Sequence, residues 1–339
     1  MLKKWIPSLI IITLTILPIS IGRRLYNSSN ESSFDWIDDD DEDDRMLDQC
    51  ANIYPKHDKA DILTLINVIA IIRPGTQAKT NDTNNSRPRL TRKGIKQIHR
   101  LGSLLNRRYG LFLNNNNNLS RESINIRSIL QLPALDTVNI LTERLWNPIL
   151  HPFNRILINT IPNVIDSVLS SASLCPNRDQ EVLNNLKTDQ ALQLINLPAV
   201  SNLLDTVVTN TGLDRTLNSL IVTINSLLNL EAAGLPLPEW ATINDTMDQL
   251  MKTVTEIVKL LLSSEKSLQL IVGPLLDEVV QLLNATLMAT SSERSSSLPK
   301  ISILVADEIK LDSLLMVLGE TLTQLSPPGS TTGPIRGSC

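Results

Sequence analysis

A chain of 339 residues with 42% apolar side chains can bury a substantial core as one large domain or two smaller ones, which excludes a disordered protein. Aromatic residues make up only 3%, so platforms for stacking bases or sugar rings are scarce, and nucleic-acid and carbohydrate binding both lose ground. The net charge of -4 comes largely from one acidic run, Asp38 to Asp44, and the rest of the chain has no basic face to offer a nucleic acid.

At the N-terminus, Lys3 and Lys4 precede an uncharged stretch from Trp5 to Gly22, and Arg23 and Arg24 follow. This is the layout of a secretory signal peptide, with Ser20 and Gly22 small enough for cleavage. Residues 5–22 also approach the ~20 residues that span a bilayer, so a membrane anchor is the alternative. Pro7 and Pro18 interrupt the helix and favour cleavage. Residues 1–22 are therefore read as signal peptide or signal anchor, and the location as secreted or endomembrane lumen, with a membrane-anchored form as the other reading. Sequons for N-glycosylation stand at Asn27, Asn30, Asn81, Asn84, Asn118, Asn244 and Asn284. Chance alone supplies about five in a chain so rich in Asn, Ser and Thr, so the expectation of export rests on the N-terminus.

Residues 23–60 hold Ser-rich turns and the run DWIDDDDEDD, with too little apolar content to pack, and read as a disordered acidic stalk. The consecutive carboxylates lack the alternation and turn glycine of a calcium loop. From Asp61 the character changes. Ile62 to Ile72 is a nearly continuous β-branched run ending in Arg73, Pro74 and Gly75, as a strand buried on both faces would be. Leu90 to Tyr109 follows as a helix, with Thr91 as N-cap and apolar residues at Ile95, Ile98, Leu101, Leu104 and Leu105. Short strands are expected at Ser123 to Ile129, Arg155 to Thr160 and Lys300 to Ala306, with the long interval before the last helical throughout. Two aliphatic stripes there, Leu213 to Leu228 and Met247 to Leu261, are core faces of a helical subdomain. Asn114 to Asn118 mark a surface loop.

These blocks resemble, in order, the histidine acid phosphatase family of the prostatic and lysosomal type. Leu90, Thr91, Gly94, Gln97, Leu101, Gly102, Leu105, Arg108 and Tyr109 match that family's helix L-T-x-x-G-x-x-Q-x-x-x-L-G-x-x-L-x-x-R-Y, which follows its R-H-G-x-R-x-P loop. Ile126 to Ser128 resembles its V-R-S-T, Leu145 to Leu150 its W-N-P-I-L turn, Ile158 to Pro162 its V-H-T-V-P, and Leu174 to Pro176 its N-C-P. Leu237 to Thr242 resembles L-P-x-W-A-T, and Ala306 to Leu311 occupies the place of S-A-H-D-T-T-L. The fold so implied is α/β, a mixed sheet flanked by helices, built from residues 61–164 and 299–339, with an α-helical subdomain inserted at 165–298.

The resemblance implies two-step hydrolysis of phosphate monoesters: a histidine attacks phosphorus, arginines and a second histidine neutralise the phosphoryl oxygens, and an aspartic acid protonates the leaving group. Several of those residues are replaced here. Pro74 stands at the nucleophile and Gln77 at the second arginine, Lys79 at the motif's proline, Asp307 at the late histidine and Glu308 at the proton donor. Only Arg73 and Arg127 remain as a phosphate-binding remnant. His57, His99 and His151 fall outside the motifs, and no Cys-x-x-Cys, His-x-x-x-His or Gly-rich phosphate loop points to a metal or cofactor. The family's bridges to Cys175 and to the counterpart of Cys339 have no partners up to Cys339, so these two either pair with each other or stay thiols. Cys50 lies in the stalk.

The leading expectation is an exported pseudophosphatase with a binding or scaffold role and, at most, weak phosphate binding. The alternatives are an altered acid phosphatase using Arg73, Arg127 and Glu308, and a carrier of lipid or other hydrophobic ligands built on the helical subdomain. In the vestigial site, Asp307 is expected to accept a hydrogen bond from Arg73 or Arg127, and Lys79 and Lys310 to face solvent.

Overall fold

The computed structural model describes residues 13–15, 65–79, 88–113, 123–145, 157–232, 235–289 and 298–318. The acidic stalk, the first five sequons, the asparagine run, His57, His151, Cys50, Cys339 and the turn at 146–150 lie outside them, as does all of residues 1–22 but Thr13–Thr15.

Five strands form the main sheet: β1 (Thr13–Thr15), β2 (Val68–Ile72), β5 (Ile124–Ile129), β6 (Ile158–Ile161) and β7 (Ile301–Val305), in the spatial order β1-β2-β7-β5-β6. Among the described residues every pairing in this sheet is parallel, whereas a mixed sheet was expected. The antiparallel component is confined to a separate ribbon, β3 (Gln77–Lys79) with β4 (Pro88–Leu90), in the segment read from sequence as a plain loop. β1 lies inside the segment read as an export signal, so removal of residues 1–22 would leave β2 at the sheet edge.

All five residues of β2 and all five of β7 are buried, which is why both read as unbroken apolar runs without alternation. Each isoleucine, leucine or valine so buried contributes about 1.5–3 kcal/mol relative to exposure. Around the sheet pack α1 (Arg92–Leu113), α2 (Leu132–Leu145) and α10 (Glu308–Val317). Thr91 caps α1 as expected, its Oγ1 accepting from the Gly94 amide at 3.0 Å.

The interval from 162 to 298 is not helical throughout. Residues 162–175 run as turns, and only then come α3 (Pro176–Asn185), α4 (Asp189–Ile195), α5 (Pro198–Thr211), α6 (Leu217–Ala232), α7 (Glu239–Thr242), α8 (Thr246–Leu261) and α9 (Glu265–Met288). Leu220, Ile224, Leu227 and Leu228 of α6 meet Leu250, Val254 and Ile257 of α8 and the buried face of α5 in a core of their own. Leu213, assigned to the first stripe, lies before α6 begins. Leu169, together with Val272, Leu275 and Val279 of α9, packs instead into the core of the sheet, so the interval 165–298 does not pack as one unit.

Register sets the position of the site. Ile72 pairs with Val305 and Val305 with Ser128, so β2, β7 and β5 end level with one another. The segments that leave them, from Arg73, Ala306 and Ile129, open side by side at the carboxyl edge of the sheet, the usual place for a ligand in a parallel α/β fold.

Candidate functional site

A cleft of about 310 Å³ lies at that edge, lined by Arg73, Pro74, Gly75 and Gln77 after β2, Ile129 at the end of β5 and Gln131 beyond it, Ser170 to Ala172, and Asp307 to Ile309. Arg73, Pro74, Gln77, Asp307 and Glu308 therefore converge as the sequence reading expects. Arg127 does not line it.

The wall after β2 is held by a network that fixes its backbone. The Gly75 amide donates to Thr137 Oγ1 at 3.1 Å, and both the amide and the hydroxyl of Thr76 donate to Gln97 Oε1, at 3.1 and 2.8 Å. Thr76 carbonyl in turn accepts from the Thr91 amide at 2.8 Å and from its hydroxyl at 3.1 Å. This close approach needs glycine at two places. A Cβ on Gly94 would meet Thr76 O at 2.2 Å, and one on Gly75 would meet Gly94 O at 2.8 Å. The consequence is chemical as well as structural. The amides of residues 75 and 76 are already donating inward and Pro74 has none, so this turn offers no nest of N–H groups to an anion.

The opposite wall is the start of α10. Arg73, 5% exposed, reaches across from β2 and places Nη1 3.0 Å from Glu308 Oε1. Asp307 is the N-cap of α10: one oxygen accepts from the Lys310 amide at 3.0 Å and the other from the Ser171 amide. The expectation that Asp307 would pair with an arginine is thus corrected; an N-cap carboxylate is engaged by the backbone donors at its own helix terminus.

Arg127 on β5 is corrected in the same way. Its Nη2 lies 3.0 Å from Asp166 Oδ1 and its Nη1 3.2 Å from Glu278 Oε2, so two carboxylates hold it within the body. Neither partner carries a local sequence signal. They come from the turns after β6 and from α9, and only the fold brings them to β5.

Lys310, expected in solvent, is 1% exposed. Its ammonium donates to the carbonyls of Ser167, at 2.6 Å, and Ile271, tying α10 to the 162–175 turns and to α9. Burial lowers it to about 8, with Asp307 opposing. One turn beyond Glu308, Asp312 is 3% exposed and its Oδ2 is buried without a hydrogen bond. Desolvation, then the charge of Glu308, raises its carboxyl to about 7 against an ordinary value of 3.8. Desolvation also raises Glu308, with Arg73 opposing.

His99 is half-buried on α1, where Nδ1 accepts from Arg144 Nε at 2.9 Å, and burial followed by the Arg144 charge holds its pKa below the ordinary value. It does not line the cleft. Among the described residues, no three His, Cys, Asp or Glu side chains are grouped to hold a metal ion. Cys175 sits half-buried at the start of α3, and its pairing with Cys339 rests on a residue outside those described. Asn244 lies in a short 3-10 turn before α8, and Asn284 is exposed on α9.

The architecture is that of phytases. The phytase of Klebsiella sp ASR1 superposes with a TM-score of 0.55 at 16% identity, covering 78% of this chain and 77% of that one. Hafnia alvei phytase in complex with tartrate gives 0.55 at 15% identity and 79% of each chain. At such identity the likeness speaks for the fold. In sequence, no family model matches. The lysosomal acid phosphatase of Bos taurus is 29% identical over 242 residues, 68% of this chain and 55% of that protein, so the chain spans about half the length of this curated relative. In fold and in sequence, then, this chain is similar to proteins of the histidine acid phosphatase type.

Proposed function

We propose that this is an exported histidine-acid-phosphatase-like protein that does not hydrolyse phosphate monoesters and acts by binding or as a scaffold. One observation carries the reading: the guanidinium that reaches the cleft is occupied by the chain's own Glu308 at 3.0 Å. The rest of the lining agrees. Among its described residues none is a histidine or cysteine, and Ser170 and Ser171 have no imidazole beside them to take their protons. Arg127, the other remnant, is committed to Asp166 and Glu278. Export is supported by the signal-like N-terminus and by the likeness to a lysosomal enzyme. The test is hydrolysis of a generic aryl phosphate by the purified chain at acid and neutral pH. Turnover at background is expected, since loss of a nucleophile that acts within a concerted unit removes on the order of 10⁶ in rate. Rates within about tenfold of an active acid phosphatase would overturn it.

A further inference from the structure

We infer that the solvent face of α1 is a docking surface whose occupant is the chain's own acidic run, Asp38 to Asp44. The sequence reading found no basic face, because the cations concerned are spread along the chain from Arg92 to Arg107. Winding that segment into a helix brings them together.

α1 carries six lysines and arginines, Arg92, Lys93, Lys96, Arg100, Arg107 and Arg108, and no aspartate or glutamate. At 3.6 residues per turn the first five fall within an arc of about 100°, opposite the face that Ile98, Leu101 and Leu105 bury in the core of the sheet. Arg92, Lys93, Lys96 and Arg107 are exposed and Arg100 is half-buried. The acids of the neighbouring α2 answer other cations: Asp136 lies 3.5 Å from Arg89, and Glu143 acts with Arg144 on His99. A stripe of one sign repels itself along the helix and is stabilised by a polyanion laid over it.

The polyanion on the same chain fits in charge, length and reach. Residues 38–44 are seven consecutive carboxylates. From Arg92 to Arg107 the stripe runs about 22 Å, and seven extended residues cover about 20–25 Å. The 20 residues from Arg45 to Thr64 join the run to Leu65, which packs against the core of the sheet, and can bridge up to about 70 Å. Loss of residues 1–22 would leave the run in place. Each exposed ion pair is weak by itself, but a tether raises the effective concentration of the run at the helix, and several pairs then hold it until salt screens them. Docked there, the run hides α1 from polyanions in solution.

Carbodiimide coupling of the full chain joins carboxylates to lysine amines in contact with them, and mass spectrometry locates the joins. Lys93 and Lys96 should couple to residues 38–44 at about 20 mM salt, with the yield falling at least about fivefold at about 0.5 M. In an equal mixture of isotopically light and heavy chains, the joins should stay within one chain. Heparin, a soluble polyanion, reads the other side of the contact. Neutralising the run (Asp38→Asn, Asp39→Asn, Asp40→Asn, Asp41→Asn, Glu42→Gln, Asp43→Asn and Asp44→Asn) should tighten heparin binding at least about tenfold. Adding Lys93→Glu and Lys96→Glu should cancel most of that gain, whereas Lys187→Glu and Lys252→Glu, the same change in net charge at exposed positions elsewhere, should leave it. The assignment is overturned by an absence of joins from Lys93 and Lys96 to the run, by joins as frequent between unlike chains as within one, or by heparin binding the native chain as tightly as the neutralised one. Equal effects of the two lysine pairs would overturn it as well. Phosphate ester turnover enters none of these measurements, so they stand apart from the non-catalytic reading.

Discussion

The two walls of the cleft hold themselves together by opposite means. On the side of β2 and α1, Gly75 donates to Thr137 and Thr76 bonds with Thr91 and Gln97, all through amide, hydroxyl and carbonyl groups that do not titrate. On the side of α10, three carboxyl groups, Asp307, Glu308 and Asp312, crowd within two turns against one guanidinium. The first wall draws its stability from fit and hydrogen bonding, which are indifferent to pH; the second draws it from a balance of charges that pH resets. Substitutions should therefore separate cleanly, costing stability on one side and altering pH response on the other.

The largest effect is expected at Gly94. Gly94→Ala would put a methyl 2.2 Å from a backbone oxygen that already holds the turn, so the loop must move. A loss of about 3 kcal/mol or more, the same at pH 5 and pH 7.5, should appear in denaturant unfolding. A loss under about 1 kcal/mol would show that the turn yields easily and that the first wall is not rigid.

Next comes the pH response of the second wall. Asp312 keeps its proton to about 7 in the folded chain, against 3.8 ordinarily, so between those values the folded state binds the extra proton. That contribution is present in full in acid and is lost as pH rises through about 7. Asp312 alone should then make unfolding free energy about 2 kcal/mol higher at pH 5 than at pH 7.5, and Asp312→Asn should remove that part, leaving the part that belongs to Glu308, which is raised in the same direction. Equal stability at the two values in the native chain would contradict the buried placement of Asp312. Comparable in size but different in kind, Gln97→Ala should cost about 2 kcal/mol by leaving the Thr76 amide and hydroxyl without their acceptor, with no change in pH dependence. The smallest effect is expected from Pro74→His. An imidazole alone gains no turnover while Glu308 holds Arg73 and Arg127 faces Asp166, and robust hydrolysis in that variant would show the remainder of the site to be competent.

The elements legible in the sequence are those whose signal is local. β2 and β7 are apolar runs, β5 carries isoleucine at 124, 126 and 129, and α1 announces itself by period and by Thr91; β5 and β7 could be placed within a residue or two, whereas the run from Ile62 overstates β2, which begins at Val68. The family motifs then named Arg73, Pro74, Gln77, Arg127, Asp307 and Glu308 as neighbours; all but Arg127 line the cleft. What escaped was partnership. Nothing around residue 127 or 310 says that an arginine will face Asp166 and Glu278, or that a lysine will be sealed between two carbonyls, because those partners lie on other elements and burial is decided by packing. The ribbon of β3 and β4 escaped for a related reason: two three-residue strands leave no periodicity to read, and only their pairing defines them.

The strand order has a consequence for how the chain assembles in time. β7 sits between β2 and β5, yet it follows both in the chain and is separated from β5 by the whole helical interval. During synthesis the first two must wait, their inner edges bare, while α5, α6 and α8 emerge with a core of their own. The helical part can condense from near neighbours in sequence, whereas the sheet closes only through contacts of long separation, the slow kind. The nascent chain thus passes through a stage with a finished helical half and an open β-edge, the species most exposed to aggregation and to chaperone capture.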